Sequence, residues 1–262
     1  RLDGVPKVDG TEKFGADERP QGALLVRAIR SPHHRAGFAI GNLDDFRERH
    51  PGIVAIFTAA DIPGRNAFGF IPAFAEQPAL AEREVRFRGE AVAIVAGEPA
   101  IVEALDLAEL PITWSKLPPL LDPAEAEMPS VPLVHETRAG NLLVRGLVQL
   151  GDAAAALASC AFKVSRRIET SFVEHAYIEP EAGYARMEGE TLVVRACTQT
   201  PHLDHDDIAV VLGMPRHRVR VIPTATGGGF GGKLDLSLQP LIGLVALKTG
   251  RPAYMVYSRP ES

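Results

Sequence analysis

Five glycines fall within Thr226-Gly227-Gly228-Gly229-Phe230-Gly231-Gly232-Lys233, and no other stretch limits the fold of this chain as strongly. Glycine has no Cβ, so it accepts positive φ and lets a bulky ligand approach the backbone closely. Five glycines around one phenylalanine describe a loop whose amide N–H groups, not its side chains, hold something anionic. Before it, Arg218-Val219-Arg220-Val221-Ile222 reads as a strand; after it, Leu236 to Leu247 reads as a helix. A glycine-rich loop feeding a helix start suits a phosphate or another oxyanion.

The loop alone leaves other readings open. Gly227 to Lys233 fits the nucleotide phosphate-loop pattern G-x-x-x-x-G-K, but Leu234 stands where that loop needs a Ser or Thr for magnesium. The helix also starts late for such a loop, with Pro240 in its first turn. A turn with only a structural job fits the residues as well.

Five further stretches accompany the loop in order. They are Arg1-Leu2-Asp3-Gly4-Val5-Pro6-Lys7-Val8-Asp9-Gly10; Phe57-Thr58-Ala59-Ala60-Asp61-Ile62-Pro63-Gly64 with Arg88-Gly89-Glu90-Ala91-Val92-Ala93; Glu174-His175-Ala176-Tyr177-Ile178-Glu179-Pro180; and Thr198-Gln199-Thr200-Pro201. Together with the loop they resemble the molybdenum-binding subunit of the xanthine dehydrogenase/aldehyde oxidase family, the molybdenum hydroxylases. The resemblance spans nearly the whole chain. It implies an α+β fold: an α/β hammerhead domain followed by part of a molybdenum-cofactor-binding α/β domain.

Composition suits a globular enzyme part. The 262 residues are enough for one large or two ordinary domains, with 46% hydrophobic and 23% charged residues. A net charge of −5 argues against nucleic acid or an anionic membrane surface as partner. No apolar run is long enough to cross a bilayer, and no signal peptide is evident, so a cytoplasmic location is expected. Arg1 is not a natural start, and the true N-terminus is expected upstream. Cys160 and Cys197 read as two reduced core thiols, too few for an iron–sulfur cluster.

The elements divide around a proline-rich stretch. Strands are expected at Ala23–Ile29, Ile53–Phe57, Ala91–Ala96 and Pro111–Trp114. A short helix capped by Asn42 or Asp44 ends near His50, residues 66–83 read as loop, and Glu98-Pro99 opens a helix to Leu110. Pro118, Pro119, Pro123, Pro129 and Pro132 read as an extended connector. The expected domains are therefore 1–122 (hammerhead), 123–147 (connector) and 148–262 (first molybdopterin-binding domain, truncated). In the last, Asp152 caps a helix Ala153–Ser159, and Phe162–Phe172 alternates as a strand. A hairpin turns at Glu188-Gly189 between Gly183–Met187 and Thr191–Ala196. Thr200 caps a helix with Pro201 first; Asp204, Asp206 and Asp207 suit its positive end, and Gly213 stops it.

Several polar groups invite sharper roles. His202, His205 and Asp206 share a helix start, yet read as exposed polar residues rather than a metal face. His33-His34 read as solvated surface. His175 with Glu174 and Glu179 looks like an acid–base cluster, but the resemblance makes it a segment that shapes the pocket. Ser171 and Ser237 lack the His/Asp companions of a hydrolase.

The cofactor-binding candidates are Gln199, Gly228, Gly229, Phe230 and Gly231. The resemblance implies that the Gln199 amide donates a hydrogen bond near the molybdenum and that the Phe230 N–H points at an oxygen on the metal. A helix-capping or solvent-facing role for Gln199 also fits the residues. Lys233 either adds positive charge on the pterin side or braces the loop. The resemblance further implies a molybdenum–molybdopterin cofactor, in some relatives a cytosine dinucleotide, and hydroxylation of a small molecule with water-derived oxygen. Electrons then pass to 2Fe–2S and FAD centres on partner subunits or other domains. The general-base glutamate is expected beyond Ser262, in the C-terminal half of the subunit, so no catalytic residue is expected within 1–262 and the isolated chain is expected to be inactive. Where purine-oxidising relatives carry a glutamate after the loop lysine, this chain has Leu234, a substrate-pocket candidate. That favours an aldehyde or an N-heteroaromatic over xanthine, because a purine edge facing leucine forfeits hydrogen bonds. The copper-binding cysteine loop of carbon monoxide dehydrogenases is not found. A xanthine dehydrogenase subunit, or a non-catalytic assembly module, are the competing readings.

Overall fold

The computed structural model describes residues 3–262, so Arg1 and Leu2 of the opening stretch lie outside the described residues. The chain forms two units: Arg1–Pro119 with His175–Ser262, and Leu120–Glu174. In chain order the elements begin with α1 (Gly4–Asp9), β1 (Leu24–Arg30), β2 (Ala36–Ile40), α2 (Leu43–Arg49) and β3 (Ile53–Thr58). Next come β4 (Glu84–Val85), β5 (Ala91–Gly97), α3 (Pro99–Ala104), β6 (Ile112–Lys116), α4 (Pro123–Ala126) and α5 (Ala153–Ser159). The chain ends with β7 (Ala182–Glu188), β8 (Thr191–Ala196), α6 (Pro201–Val211), β9 (Val219–Pro223), α7 (Gln239–Thr249) and β10 (Ala253–Val256).

A seven-stranded mixed sheet, in the order β3-β5-β1-β10-β7-β8-β9, carries the larger unit, and β4-β2-β6 form a smaller sheet. Strands from both sides of the proline-rich stretch thus share one sheet, joined where β1 runs parallel to β10. The fold is α+β, as expected. β5 is buried along its whole length because it lies between β3 and β1 and feeds two cores. Ile94 and Ala96 pack into the core with Leu24, Val26 and α7; Ala93 and Val95 pack with Phe46 and Val102. Such a two-sided strand reads as a continuous apolar run. α7 is apolar on all sides for the same reason: Gln239 to Ala246 are all buried.

Several local expectations hold. Asn42 caps α2 by accepting from the N–H groups of Asp44 and Asp45, and Asp152 caps α5. The hairpin turns with Gly189 at φ 59°, and Gly213 leaves α6 at φ 61°. Four expectations are corrected. The helix from Pro99 stops at Ala104 rather than Leu110, because Arg27 takes the carbonyls of Val102 and Leu105 (3.0 and 2.8 Å) and Asp106 starts a separate 3₁₀ turn. Phe162–Phe172 forms no strand: among the described residues it has no ladder partner, and Phe162 and Phe172 are 94% and 98% exposed. Apolar alternation makes a strand only beside a neighbour. Cys160 is exposed just past α5, a helix that buries none of its residues; only Cys197 is a core thiol. Thr200 stands at the N-cap of α6 without capping it, since its hydroxyl is engaged elsewhere.

A motif glycine ties the two parts of the larger unit together. Thr58 and Asp61 form a capping box, which delivers Gly64 to the C-terminal end of α6. There the N–H groups of Gly64 and Arg65 donate to the carbonyls of Val211 (3.0 Å) and Val210 (3.1 Å). Those carbonyls are orphans of a helix end and need outside donors.

Candidate functional site

The glycine loop leaves β9 and lies beside Gln199, which follows β8 and precedes α6. Gln199 Oε1 accepts from the N–H groups of Gly231 (3.1 Å) and Lys233 (3.2 Å), and Gly232 N–H donates to Gly229 O at 2.7 Å. These bonds account for the second half of the loop. The N–H groups of Gly228, Gly229 and Phe230 have no hydrogen-bond partner among the described residues, although Gly229 is buried. A buried residue with an unpartnered amide is rare in folded chains, so Gly229, flanked by two more free N–H groups on the accessible side, marks a place for an acceptor. Gln199 Nε2 likewise donates to no described residue.

The backbone reaches this geometry by steps that need glycine. Gly228 and Gly231 have φ of 104° and 97°, and a Cβ at Gly232 would stand 2.6 Å from the Tyr177 ring. Phe230 (φ 51°) and Ala176 (φ 49°), two of the three described non-glycine residues in the left-handed region, also lie here. Such conformations cost energy and cluster at functional sites. Phe230 holds its ring out, 76% exposed.

Lys233 faces the other way. Its ammonium is buried, 2.9 Å from Glu179 Oε2 and 2.8 Å from Glu179 O, and 4.7 Å from the Tyr177 ring centroid. It braces the loop and offers no charge to a phosphate. With Leu234 in place of a magnesium ligand, and α7 beginning only at Gln239, the nucleotide-loop alternative is excluded. Below this pair lies Cys197, whose thiol is pushed up by burial and then by the Glu179 carboxylate.

Behind the loop is a buried polar cluster that sequence reasoning placed only as helix-end charge. Asp204, 1% exposed, is pushed up to about 6, chiefly by burial. Gln239 Nε2 donates to it at 3.3 Å, and Gln239 Oε1 in turn accepts from Ser237. Thr200 Oγ1 donates to Leu234 O at 2.7 Å and lies 3.4 Å from Asp204 Oδ1. The Thr200 hydroxyl thus has two acceptors within reach, the closer being Leu234 O. Leu234, half-buried, is held by its carbonyl.

The remaining candidates stay apart. His205 spends its ring on Asp206 (3.0 Å) and Arg216 O (2.9 Å), and no metal-binding cluster occurs among the described residues. His33 stacks edge-on to Trp114, and Ser237 serves Gln239. Glu179, set aside as part of an acid–base cluster, is saturated by N–H donors. Its partners Gly227 and Gly15 are 48 and 164 positions away, and nothing local in the sequence signals them.

Comparison with known proteins fits this geometry. The family model of the aldehyde oxidase and xanthine dehydrogenase a/b hammerhead domain matches residues 9–118, and that of the molybdopterin cofactor-binding domain matches 134–262. The chain belongs to the xanthine dehydrogenase/aldehyde oxidase family. It is 37% identical to the nicotinate dehydrogenase large molybdopterin subunit of Eubacterium barkeri, covering 100% of this chain and 61% of that one. It is 29% identical to the xanthine dehydrogenase molybdenum-binding subunit of Escherichia coli O157:H7, covering 100% of this chain and 36% of the relative. Quinoline 2-oxidoreductase from Pseudomonas putida 86 superposes with a TM-score of 0.87 at 27% identity, over 100% of this chain and 34% of that one. The chain therefore spans only part of these relatives' length. In this family member the glycine loop, Gln199 and Glu179 all lie within the molybdopterin cofactor-binding match. No helix among the described residues is long and apolar enough to cross a membrane.

Proposed function

We propose that this chain is the cofactor-cradling part of the catalytic subunit of a molybdenum hydroxylase acting on an N-heteroaromatic substrate. The observation that carries the reading is the row of unpartnered N–H groups at Gly228, Gly229 and Phe230, with Gln199 Nε2 beside them. Four neutral donors, with the loop lysine committed to Glu179, suit the oxygen ligands of a molybdenum centre better than a phosphate, which would draw that lysine. Glycine lets the loop press against Glu179, Tyr177 and Gln199, where a Cβ at Gly227, Gly228 or Gly229 would stand 2.5–2.9 Å from them.

In this reading the three loop amides and Gln199 Nε2 donate to oxygens of the bound cofactor and orient it. When bound, the cofactor supplies the redox chemistry, taking two electrons from the substrate carbon as water-derived oxygen is added. Gly231 N–H is committed to Gln199 and acts by holding that side chain. Gln199 is a fitting choice because an amide donates without titrating. Leu234 offers the substrate an apolar wall and no acceptor for a purine's polar edge. Nicotinate and quinoline, the substrates named for two relatives, are heteroaromatics of this kind.

The finer assignments belong to the same proposal. They are the domain limits 1–122, 123–147 and 148–262, a cytosine dinucleotide form of the cofactor, 2Fe–2S and FAD centres on partner subunits or domains, and a cytoplasmic location. The test is molybdenum and released pterin per mole of the full-length subunit from a molybdate-fed host. Near-stoichiometric metal is expected, with turnover of a pyridine carboxylate or quinoline lowered about tenfold or more by Gln199→Ala. No molybdenum in the wild-type subunit would sink the proposal. Leu234→Glu is expected to shift relative kcat/KM toward xanthine.

A further inference from the structure

We infer that Glu179 is the positioning residue of the cofactor loop, and that its buried ion pair with Lys233 sets the spacing of the ligand-facing amides. The inference rests on the reading of Gly228 to Phe230 as the cofactor cradle.

One carboxylate oxygen holds both ends of the loop. Glu179 Oε2 accepts from Gly227 N–H at 2.7 Å and from Lys233 Nζ at 2.9 Å. The Glu179 backbone repeats the arrangement, with its N–H donating to Gly227 O at 3.2 Å and its carbonyl accepting from Lys233 Nζ at 2.8 Å. The three free amides lie between these anchors. Glycines have no side chains with which to fix a loop, so its shape must be imposed from outside. Glu179 meets it without slack: a Cβ at Gly227 would stand 2.6 Å from Glu179 Cβ.

The pair is also sealed from water, with the Lys233 and Glu179 side chains 1% and 9% exposed. A buried pair adds little net stability, whereas an ammonium left without its carboxylate is strongly unfavourable there. Lys233 would have to leave for solvent, and the end of the loop would leave with it. The other carboxylate oxygen, Oε1, accepts from Gly15 N–H at 3.0 Å, beside the bridge of Phe14 with Ala225. Glu179 thereby fastens a third segment, from near the start of the chain, to the foot of the loop.

The test compares Glu179→Gln, Lys233→Met and the double variant in the full-length subunit. Three readouts are taken: molybdenum and pterin per mole, the Mo(V) electron paramagnetic resonance spectrum, and deuterium exchange of the Gly227–Lys233 amides in cofactor-free protein. Each single variant is expected to lose cofactor about tenfold or more and to show an altered Mo(V) signal in what remains. Loop exchange should quicken by a similar factor. The double variant, neutral throughout, should recover part of the loss because no buried charge is left unpaired. It also keeps the test decisive if a single variant fails to fold. Single variants with wild-type metal content, signal and exchange would overturn the inference, as would strictly additive losses in the double variant. If the wild-type subunit holds no molybdenum, the cofactor reading falls, and loop exchange alone decides the clamp: quickening supports it and no change overturns it.

Discussion

Gly229 and Gln199 approach so closely that a Cβ at Gly229 would stand 2.5 Å from Gln199 Oε1. That oxygen is the shared acceptor for Gly231 and Lys233 N–H, so it cannot yield without releasing the second half of the loop. Gly229→Ala should therefore act through Gln199. We expect cofactor content to fall about tenfold while global stability drops by only about 1 kcal/mol. Metal analysis beside a denaturation curve checks this, and equal metal in variant and wild type would refute it.

Asp204 should make stability depend on pH in a recognisable direction. Its folded pKa, about 6, lies above the ordinary aspartate value of 3.8. A carboxyl raised in this way binds more protons folded than unfolded between those values. Its contribution is fully present below pH 3.8 and is lost as pH rises through 6. Asp204→Asn keeps the shape and leaves no carboxylate charge to bury. The variant is expected to gain roughly 2–3 kcal/mol over wild type at pH 7 and almost nothing at about pH 4. Urea unfolding at the two pH values measures the difference; a gap that does not change with pH would disprove the assignment.

Gly64 should be far less tolerant than a surface turn glycine. A Cβ there would run into Val210 O and lie 2.8 Å from Val211 O, both backbone atoms that close α6. Gly64→Ala must push Pro63-Gly64 off the helix end and orphan its carbonyls. A loss of roughly 2–4 kcal/mol is expected, against under about 0.5 kcal/mol for Gly146→Ala. A Cβ at Gly146 meets nothing within 4 Å. Thermal unfolding of the two variants separates the cases.

The local grammar of the chain was readable without coordinates. Asn42 and Asp152 cap the helices they were expected to cap, because a cap involves neighbours two or three positions away. The loop announced itself by composition, since no other residue readily tolerates φ near 100° at Gly228 and Gly231. Gln199 was legible only through resemblance, as its bonds reach 32 and 34 positions along the chain. Phe162 to Phe172 shows the opposite failure, a sound strand pattern with no partner among the described residues.

By itself, then, the sequence determined the caps and tight turns, most of the strands, and that the glycine loop would present backbone donors. These follow from covalent geometry and from contacts within a few residues. Only the tertiary structure decided that Lys233 turns inward to Glu179, that burial pushes the Asp204 carboxyl up to about 6, and that Gly64 closes a helix far downstream in the chain. Each of those depends on burial, which removes water as the competing partner and lets distant groups settle one another's charge and position.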